Sequence, residues 1–304
     1  MNIYLSKINE DWIIDRIRKE WMENNKDIST KYLINSDLIW IISPWVWQNI
    51  PSYFLKNRKV ICSIYHVDNP KQKLTGIENF DKLNSLTNEF HVISKKTLND
   101  LKLLTNKKIT SIPFWINDKV FYPLHSRDKI RAKYNIKKSD FVIGSFQRDS
   151  EGSNVSQPKL IKGPDRLVEI YKHYKNINPN LTILLTGKRR GFIINELKKA
   201  KINFIYKEMV NFEELNELYN CLDLYVIASR KEGGPQAILE CAITKTPVVS
   251  TDVGVANEIL SPQSIFDMSN FQDAKPDINF ALENVKKHTI KNSFENFKKM
   301  FNSV

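Results

Sequence analysis

Short apolar runs, each followed by a segment of helical length, recur along the whole chain and leave few folds open to it. Leu38 to Ile42, Val60 to Tyr65, Glu89 to Ile93 and Ile109 to Ile112 lie in the first part; Phe141 to Ser145, Leu181 to Thr186, Ile202 to Tyr206, Leu224 to Ala228, Thr246 to Ser250 and Ser264 to Phe266 lie in the second. Runs this apolar, without alternation, are buried on both faces, as parallel strands between two helical layers are. A further strand is expected at Asn2 to Leu5, with helices over 11–23, 46–57, 95–104, 129–134, 163–175, 191–200, 212–220, 235–243 and 255–259. The alternation predicts one doubly wound α/β sheet in each part. Residues 277–302 read as one or two amphipathic helices.

A length of 304 residues suits two such units. Composition divides the chain near Pro123: all six tryptophans precede it, and eight of the nine glycines follow it. The first βα unit therefore lacks the glycines of a GxGxxG turn, which excludes a dinucleotide site there. The expected division is a first domain over 1–124, a second over 125–276, and C-terminal helices over 277–304 that pack back on the first domain, with the linker at 122–128.

At 41% hydrophobic and 26% charged residues the composition is that of a folded globular protein. No apolar run approaches the ~18 residues of a membrane span. Residues 1–5 lack the pattern of a secretion signal, so a cytoplasmic location is expected. Cys62, Cys221 and Cys241 are widely spaced with no CxxC pair, which predicts buried thiols and no structural metal. The net charge of +12 splits into an excess of +5 up to Leu124 and +7 beyond it. No nucleic-acid-binding motif accompanies that charge, so no nucleic-acid partner is expected.

The chemistry concentrates in the stretch from Ser229 to Asp252. A buried strand ends at Ser229, Gly233 and Gly234 follow, and Pro235 stands where a helix would begin. Amides at such a start can hold a phosphate. Glu232 precedes the helix and Glu240 lies inside it, eight positions on. A helical rise throughout would put their backbones roughly 10 Å apart, which suits two ends of an extended ligand rather than one shared proton. Ile238, Leu239, Cys241 and Ala242 surround Glu240 in sequence, so its carboxylate is expected to be buried and to need a partner.

This stretch resembles the EX7E signature of retaining glycosyltransferases of family 4. Gly144 to Arg148, Lys162-Gly163 with Asp165, Leu184 to Gly187, Leu215 to Asp223, and Pro247 to Gly254 fall in the order and spacing of that family. The resemblance covers about 120 residues, from Ile143 to Leu260, and implies the GT-B fold: two Rossmann-like doubly wound domains facing a cleft. It also implies roles. Arg148 and Lys162 would hold the donor diphosphate, Glu240 the ribose hydroxyls, and Glu232 the transferred sugar. Gly233, Gly234, Pro235 and Gln236 would lie beside sugar and phosphate, with Gly187, Met209 and Val210 toward the nucleotide. The insertion from Asp149 to Pro158 is longer than the family's usual connection.

In the first part, His66 ends a buried strand and matches a histidine that contacts the donor sugar in the family. Ser94, Asn117 and Asp118 match family positions more loosely. The glycine-rich first loop of the family is replaced by Ser6 to Trp12, where Lys7 could supply charge instead. Most tryptophans are expected in the core, with Trp45 and Trp47 the candidates for stacking on sugar. The basic segment from Lys95 to Lys108 is expected first as a helix covering the sheet and second as a contact with an anionic bilayer. The implied activity is metal-independent transfer from a UDP-sugar or GDP-sugar to a glycan or lipid-linked acceptor, without a bound cofactor, in the cytoplasm or at the inner face of a membrane. The alternatives are a nucleotide-sugar epimerase and a catalytically silent GT-B module.

Overall fold

A computed structural model describes residues 1–7, 13–67, 77, 79–151 and 156–304. They form two units: Met1–Trp115 with Ile290–Val304, and Ile116–Thr289. The first unit contains β1 (Ile3–Leu5), α1 (Ile13–Asn24), β2 (Ser29–Thr30), β3 (Leu38–Ile41), α2 (Ser52–Asn57), β4 (Lys59–Ile64), α3 (Phe80–Leu86), β5 (Glu89–Val92), α4 (Lys95–Leu101) and β6 (Lys108–Ser111). All the pairings are parallel, in the order β2-β1-β3-β4-β5-β6. The short edge strand β2 has no apolar run to announce it. The expected helix over 46–57 is instead a 3₁₀ turn, Pro44–Asn49, followed by α2. Pro51 separates them, since the residue before a proline is driven out of the helical region; Ile50 sits at φ −91°, ψ 123°.

The second unit contains α5 (Arg127–Lys133), β7 (Phe141–Ser145), α6 (Pro164–Ile177), β8 (Leu181–Thr186), α7 (Gly191–Lys199), β9 (Asn203–Lys207), α8 (Phe212–Cys221), β10 (Leu224–Ile227), α9 (Gln236–Thr244), β11 (Val248–Thr251), α10 (Ala256–Ile259), β12 (Ile265–Phe266) and α11 (Ile278–Val285). Its parallel order is β12-β11-β10-β7-β8-β9. The chain runs outward from β7 through β8 and β9, then returns to β10 on the other side. The topological switch therefore lies between β7 and β10, and open α/β sheets place ligands at the carboxyl ends of such strands.

The division falls after Trp115, ahead of the expected boundary at 124. Ile116 and Phe121 are fully buried in the second unit's core, and the backbone N–H groups of Tyr122 and Leu124 donate to Asn216 and Asn220 of α8. The 122–128 segment is thus tied down by α8. The C-terminal helices also part company. Ala281 and Val285 of α11 are buried in the second unit, whereas α12 (Ile290–Asn302) belongs to the first. Phe294, Phe297 and Phe301 form the i, i+3, i+7 stripe of α12 and pack on Trp21, Trp40 and Trp115. Each such burial contributes about 1.5–3 kcal/mol, so these tryptophans are core residues. Trp47 is buried as well, Trp45 is 41% exposed, and Trp12 lies outside the described residues.

Behind this aromatic layer sits a polar chain with no solvent access. Trp40 Nε1 donates to Ser63 Oγ at 2.8 Å, Ser63 meets His91 Nδ1 at 2.8 Å, and His91 Nε2 meets the Ile112 carbonyl oxygen at 2.8 Å. An indole only donates and a carbonyl only accepts, so His91 carries its proton on Nε2 and Nδ1 accepts from the serine. Burial pushes the imidazole down to about 4. The unfolded chain, with an ordinary histidine near 6.5, takes up the proton first. The contribution to stability is therefore complete above about pH 6.5 and is lost as pH falls from there through the folded value, about 3 kcal/mol in total. Urea unfolding at about pH 7.5 and about pH 4.5 should show wild type losing about 2.5 kcal/mol more than His91→Gln; equal losses would remove His91 as the cause.

Candidate active site

Two connections leave the switch point of the second unit: Phe146 to Asp149 after β7, and Ala228 to Pro235 after β10. A third segment, Lys159 to Gly163, is strapped onto the second of these. The Arg230 N–H donates to the Ile161 carbonyl at 2.9 Å, and the Arg230 guanidinium donates to the Leu160 carbonyl at 2.7 Å. The same guanidinium grips Asp165 through two bonds of 2.8 and 2.6 Å, a fork that holds the Asp165 carboxyl below its usual range. Gly163 ends the segment at φ +65°, and a Cβ there would stand 2.0 Å from the Ala228 carbonyl oxygen. Only glycine allows the turn and the approach together. After β11, Gly254 (φ +52°) packs against Gly233 in the same way, with a Cβ position 2.4 Å from its carbonyl oxygen.

These straps bring Lys162 to Glu232, Nζ to Oε2 at 2.6 Å, with the two side chains 29% and 12% exposed. The Ser229 hydroxyl lies 3.0 Å from Glu232 Oε1, and Gln147 Nε2 donates to the Lys162 carbonyl at 2.9 Å. Residues from the ends of β7 and β10 thus converge on one lysine–glutamate pair.

α9 begins at Gln236 with Pro235 as its cap, so only the later half of the interval from Glu232 to Glu240 is helical. This corrects the expectation of one helical rise between them; Glu232 belongs to a loop held by side chains. Glu240 is 5% exposed and accepts from the Tyr219 hydroxyl at 2.7 Å. Burial, reinforced by the Glu240 charge, drives the Tyr219 phenol well above its ordinary value, so it stays a donor. Tyr219 packs on Phe146 and Tyr225, and the Tyr225 hydroxyl oxygen accepts from the Phe146 N–H at 2.9 Å. The Glu240 carboxylate is thereby oriented from α8 and from the end of β7.

Arg148 is half-buried, and its Nε donates to the Ser150 carbonyl at 3.4 Å. The residue after it anchors the loop. Asp149 accepts from Arg190 Nε at 2.6 Å, and both side chains are completely buried. Arg190 also donates to the carbonyls of Ser145 and Thr186, at 2.5 and 2.8 Å, which joins the ends of β7 and β8. The N–H of Lys159 donates to the Asp149 carbonyl at 2.7 Å, and Ser150 bridges to Pro158, closing the insertion. The N–H of Gly187 (φ +95°) donates to the Glu208 carbonyl at 2.9 Å, so the turn after β8 meets the turn after β9 that carries Met209 and Val210. Met209 is 58% exposed, and Val210 packs partly on the core. A capping box of Asn211 and Glu214 then starts α8.

His66 lies in the first unit, half-buried and two residues beyond β4. Ser94 caps α4 by accepting from the Thr97 N–H, and Asn117 accepts from the Lys119 N–H in a local turn. Lys7 is exposed on a groove of about 750 Å³ that Arg18, Lys19, Lys26 and Lys31 also line. Residues 8–12 of the departing first loop lie outside the described residues. Two groups escaped sequence reasoning: the Asp149–Arg190 pair, for which sequence spacing offers no signal, and Lys159, which the Lys-x-x-Lys spacing with Lys162 could have raised. Among the described residues no three His, Cys, Asp or Glu side chains gather as a metal site needs.

Residues 126–295 match the family described as glycosyl transferases group 1. Over 171 residues, 52% of this chain, the sequence is 24% identical to the alpha-galactosylglucosyldiacylglycerol synthase of Streptococcus pneumoniae; the match spans 41% of that relative's length. Over 289 residues, 85% of this chain and 78% of the relative, it is 22% identical to the O-antigen chain mannosyltransferase RfbU of Salmonella typhimurium. Among solved structures, Anabaena Alr3699/HepE in complex with UDP and glucose superimposes with a TM-score of 0.77 at 12% identity, over 100% of this chain and 99% of that one. Sucrose-phosphate synthase from Thermosynechococcus elongatus gives 0.71 at 15% identity, over 98% and 80%. At such identities the likeness is one of fold. Two Rossmann-like parallel sheets of the GT-B type, and a family match across more than half of the chain that takes in Lys162, Glu232 and Glu240, make this chain a member of the group 1 glycosyl transferases.

Proposed function

We propose that the chain is a retaining, metal-independent glycosyltransferase that moves a sugar from a nucleoside diphosphate to an acceptor hydroxyl, in glycan or surface polysaccharide synthesis. The observation that carries this reading is the Lys162–Glu232 pair at the switch point, with the buried, tyrosine-oriented Glu240 eight residues on. An EX7E role for the two glutamates follows: Glu232 takes hydroxyls of the transferred sugar, and Glu240 takes those of the ribose. Arg148 and Lys162 take the diphosphate, flanked by Gly233, Gly234, Pro235 and the Gln236 amide. The turns of Gly187, Met209 and Val210 then face the nucleotide. From β10 to β9 is three strand spacings, roughly 14 Å, a span matched to an extended sugar nucleotide.

As the bond from the anomeric carbon to the diphosphate oxygen breaks, negative charge grows on the diphosphate, and Lys162 and Arg148 stabilise it where they stand. The acceptor oxygen bonds to the anomeric carbon on the same face, and its proton passes to the departing phosphate oxygen. No enzyme nucleophile is consumed, and the cations do the work a divalent metal would otherwise do. Acceptor binding is assigned to the first unit, and the family resemblance assigns His66 a contact with the donor sugar. UDP-sugar or GDP-sugar is the donor class, and the UDP bound by HepE favours the former. Among the described residues no helix is long and apolar enough to cross a membrane. A lipid-linked acceptor would be met at the inner membrane face, with Lys95 to Lys108 against anionic headgroups.

Incubation with a panel of nucleotide sugars and glycan or lipid-linked acceptors, with EDTA present, should release nucleoside diphosphate and give a product of unchanged anomeric configuration by NMR. Inverted product, or release abolished by EDTA, contradicts the mechanism. Donor binding without turnover on any acceptor would leave the silent-module reading in its place.

A further inference from the structure

The proposed donor site leaves a neighbouring cation unassigned. Lys159 caps the 3₁₀ turn Leu160–Lys162, and the Lys162 N–H donates back to the Lys159 carbonyl at 2.8 Å. Lys159 stands one residue ahead of the turn, at φ −81° and ψ 81°, and that backbone bond keeps it within one turn of Lys162, whose charge acts on it. The position of Lys159 is fixed from behind as well. Its N–H is bound to the Asp149 carbonyl, and Asp149 is locked by the fully buried guanidinium of Arg190. The side chain is half-buried, and the charges of Arg148, Lys162, Glu151 and Glu232 all act on it. Burial first, then the repulsion of Arg148 and Lys162, lower its ammonium from the ordinary lysine value. With Lys162 paired to Glu232, Arg148 and Lys159 are left with only Glu151 among the carboxylates that act on Lys159.

We infer that Lys159, held by its backbone bond to the buried Asp149–Arg190 anchor, is a third cation for the donor's diphosphate. The inference rests on the donor-site reading above and adds to it a third diphosphate contact, from the start of the Lys159–Gly163 segment. A lysine placed this way recognises charge, so its loss weakens ligands in proportion to their phosphate charge and weakens the salt dependence of binding. A lysine that only braced the loop would weaken mono- and diphosphates alike.

Calorimetry on the full chain with UDP, GDP and ADP, and with the matching monophosphates, separates these. With the base that binds best, Lys159→Gln should weaken the diphosphate about tenfold or more and flatten its salt dependence, with the monophosphate changing much less, while Lys159→Arg stays within about threefold of wild type. If Lys159→Gln keeps the diphosphate affinity while Lys162→Ala loses it, the inference is wrong and the donor site stands. If both variants keep it, the donor-site reading falls as well.

Discussion

Lys162→Ala should lower kcat/KM for nucleotide-sugar turnover by about 10²- to 10³-fold, the cost of removing one preorganised group that faces charge developing in a transition state. The side chain is partly exposed and its backbone is held independently of its charge, by Gln147, by the Lys159 carbonyl and by the Gly163 turn. The fold should therefore survive, and the thermal midpoint should move by only a few degrees. Steady-state release of nucleoside diphosphate measures the first quantity and a melting curve the second. Lys162→Arg should recover only part of the rate, because a planar fork does not replace a point charge at 2.6 Å from Glu232. A variant as active as wild type would leave the Lys162–Glu232 pair as an ordinary structural ion pair.

The largest effect on stability should come from Arg190→Met. Removing one partner of a buried ion pair leaves the other charge stranded, at about 3–5 kcal/mol. Here the guanidinium also supplies donors to the Ser145 and Thr186 carbonyls and the Ser145 hydroxyl. Burial already raises the Asp149 carboxyl against the pull of Arg190, so losing the guanidinium would raise it further. Urea unfolding gives the loss, and Arg190→Met with Asp149→Leu should recover a large part of it, since an apolar pair of similar volume avoids the stranded charge. A loss under about 1 kcal/mol in the single variant would show that the loop does not depend on this anchor.

The parallel sheets were legible because buried strands have no polar face; Leu181–Thr186, for example, is buried at every position. The doubly wound architecture and the surroundings of Glu232 followed from the same runs. The boundary did not, because the Trp and Gly asymmetry marks composition, whereas the division is set by Ile116 and Phe121 entering the second core. Residues 277–302 read as one or two amphipathic helices packing on the first domain, yet α11 and α12 serve different units, and amphipathicity does not say which core a stripe meets. At the site, the order of Arg148, Lys162, Glu232 and Glu240 was readable. The anchor behind them was not: Asp149 and Arg190 are 41 residues apart and look like surface charges until the β7 and β8 ends are paired. Lys159 is near Lys162 in sequence, but its tie to the Asp149 carbonyl, across the insertion, has no signal there.

Hydrogen–deuterium exchange on the full chain, with and without a saturating nucleoside diphosphate chosen from UDP, GDP and ADP, most directly tests whether the second unit cradles a sugar nucleotide. Protection should appear in peptides covering 146–151, 159–165 and 229–240, with a weaker effect over 207–210, and should vanish in Lys162→Ala. Protection confined to other segments, or none with any of the three ligands at saturating concentration, would contradict the placement of the donor at the β7–β10 switch.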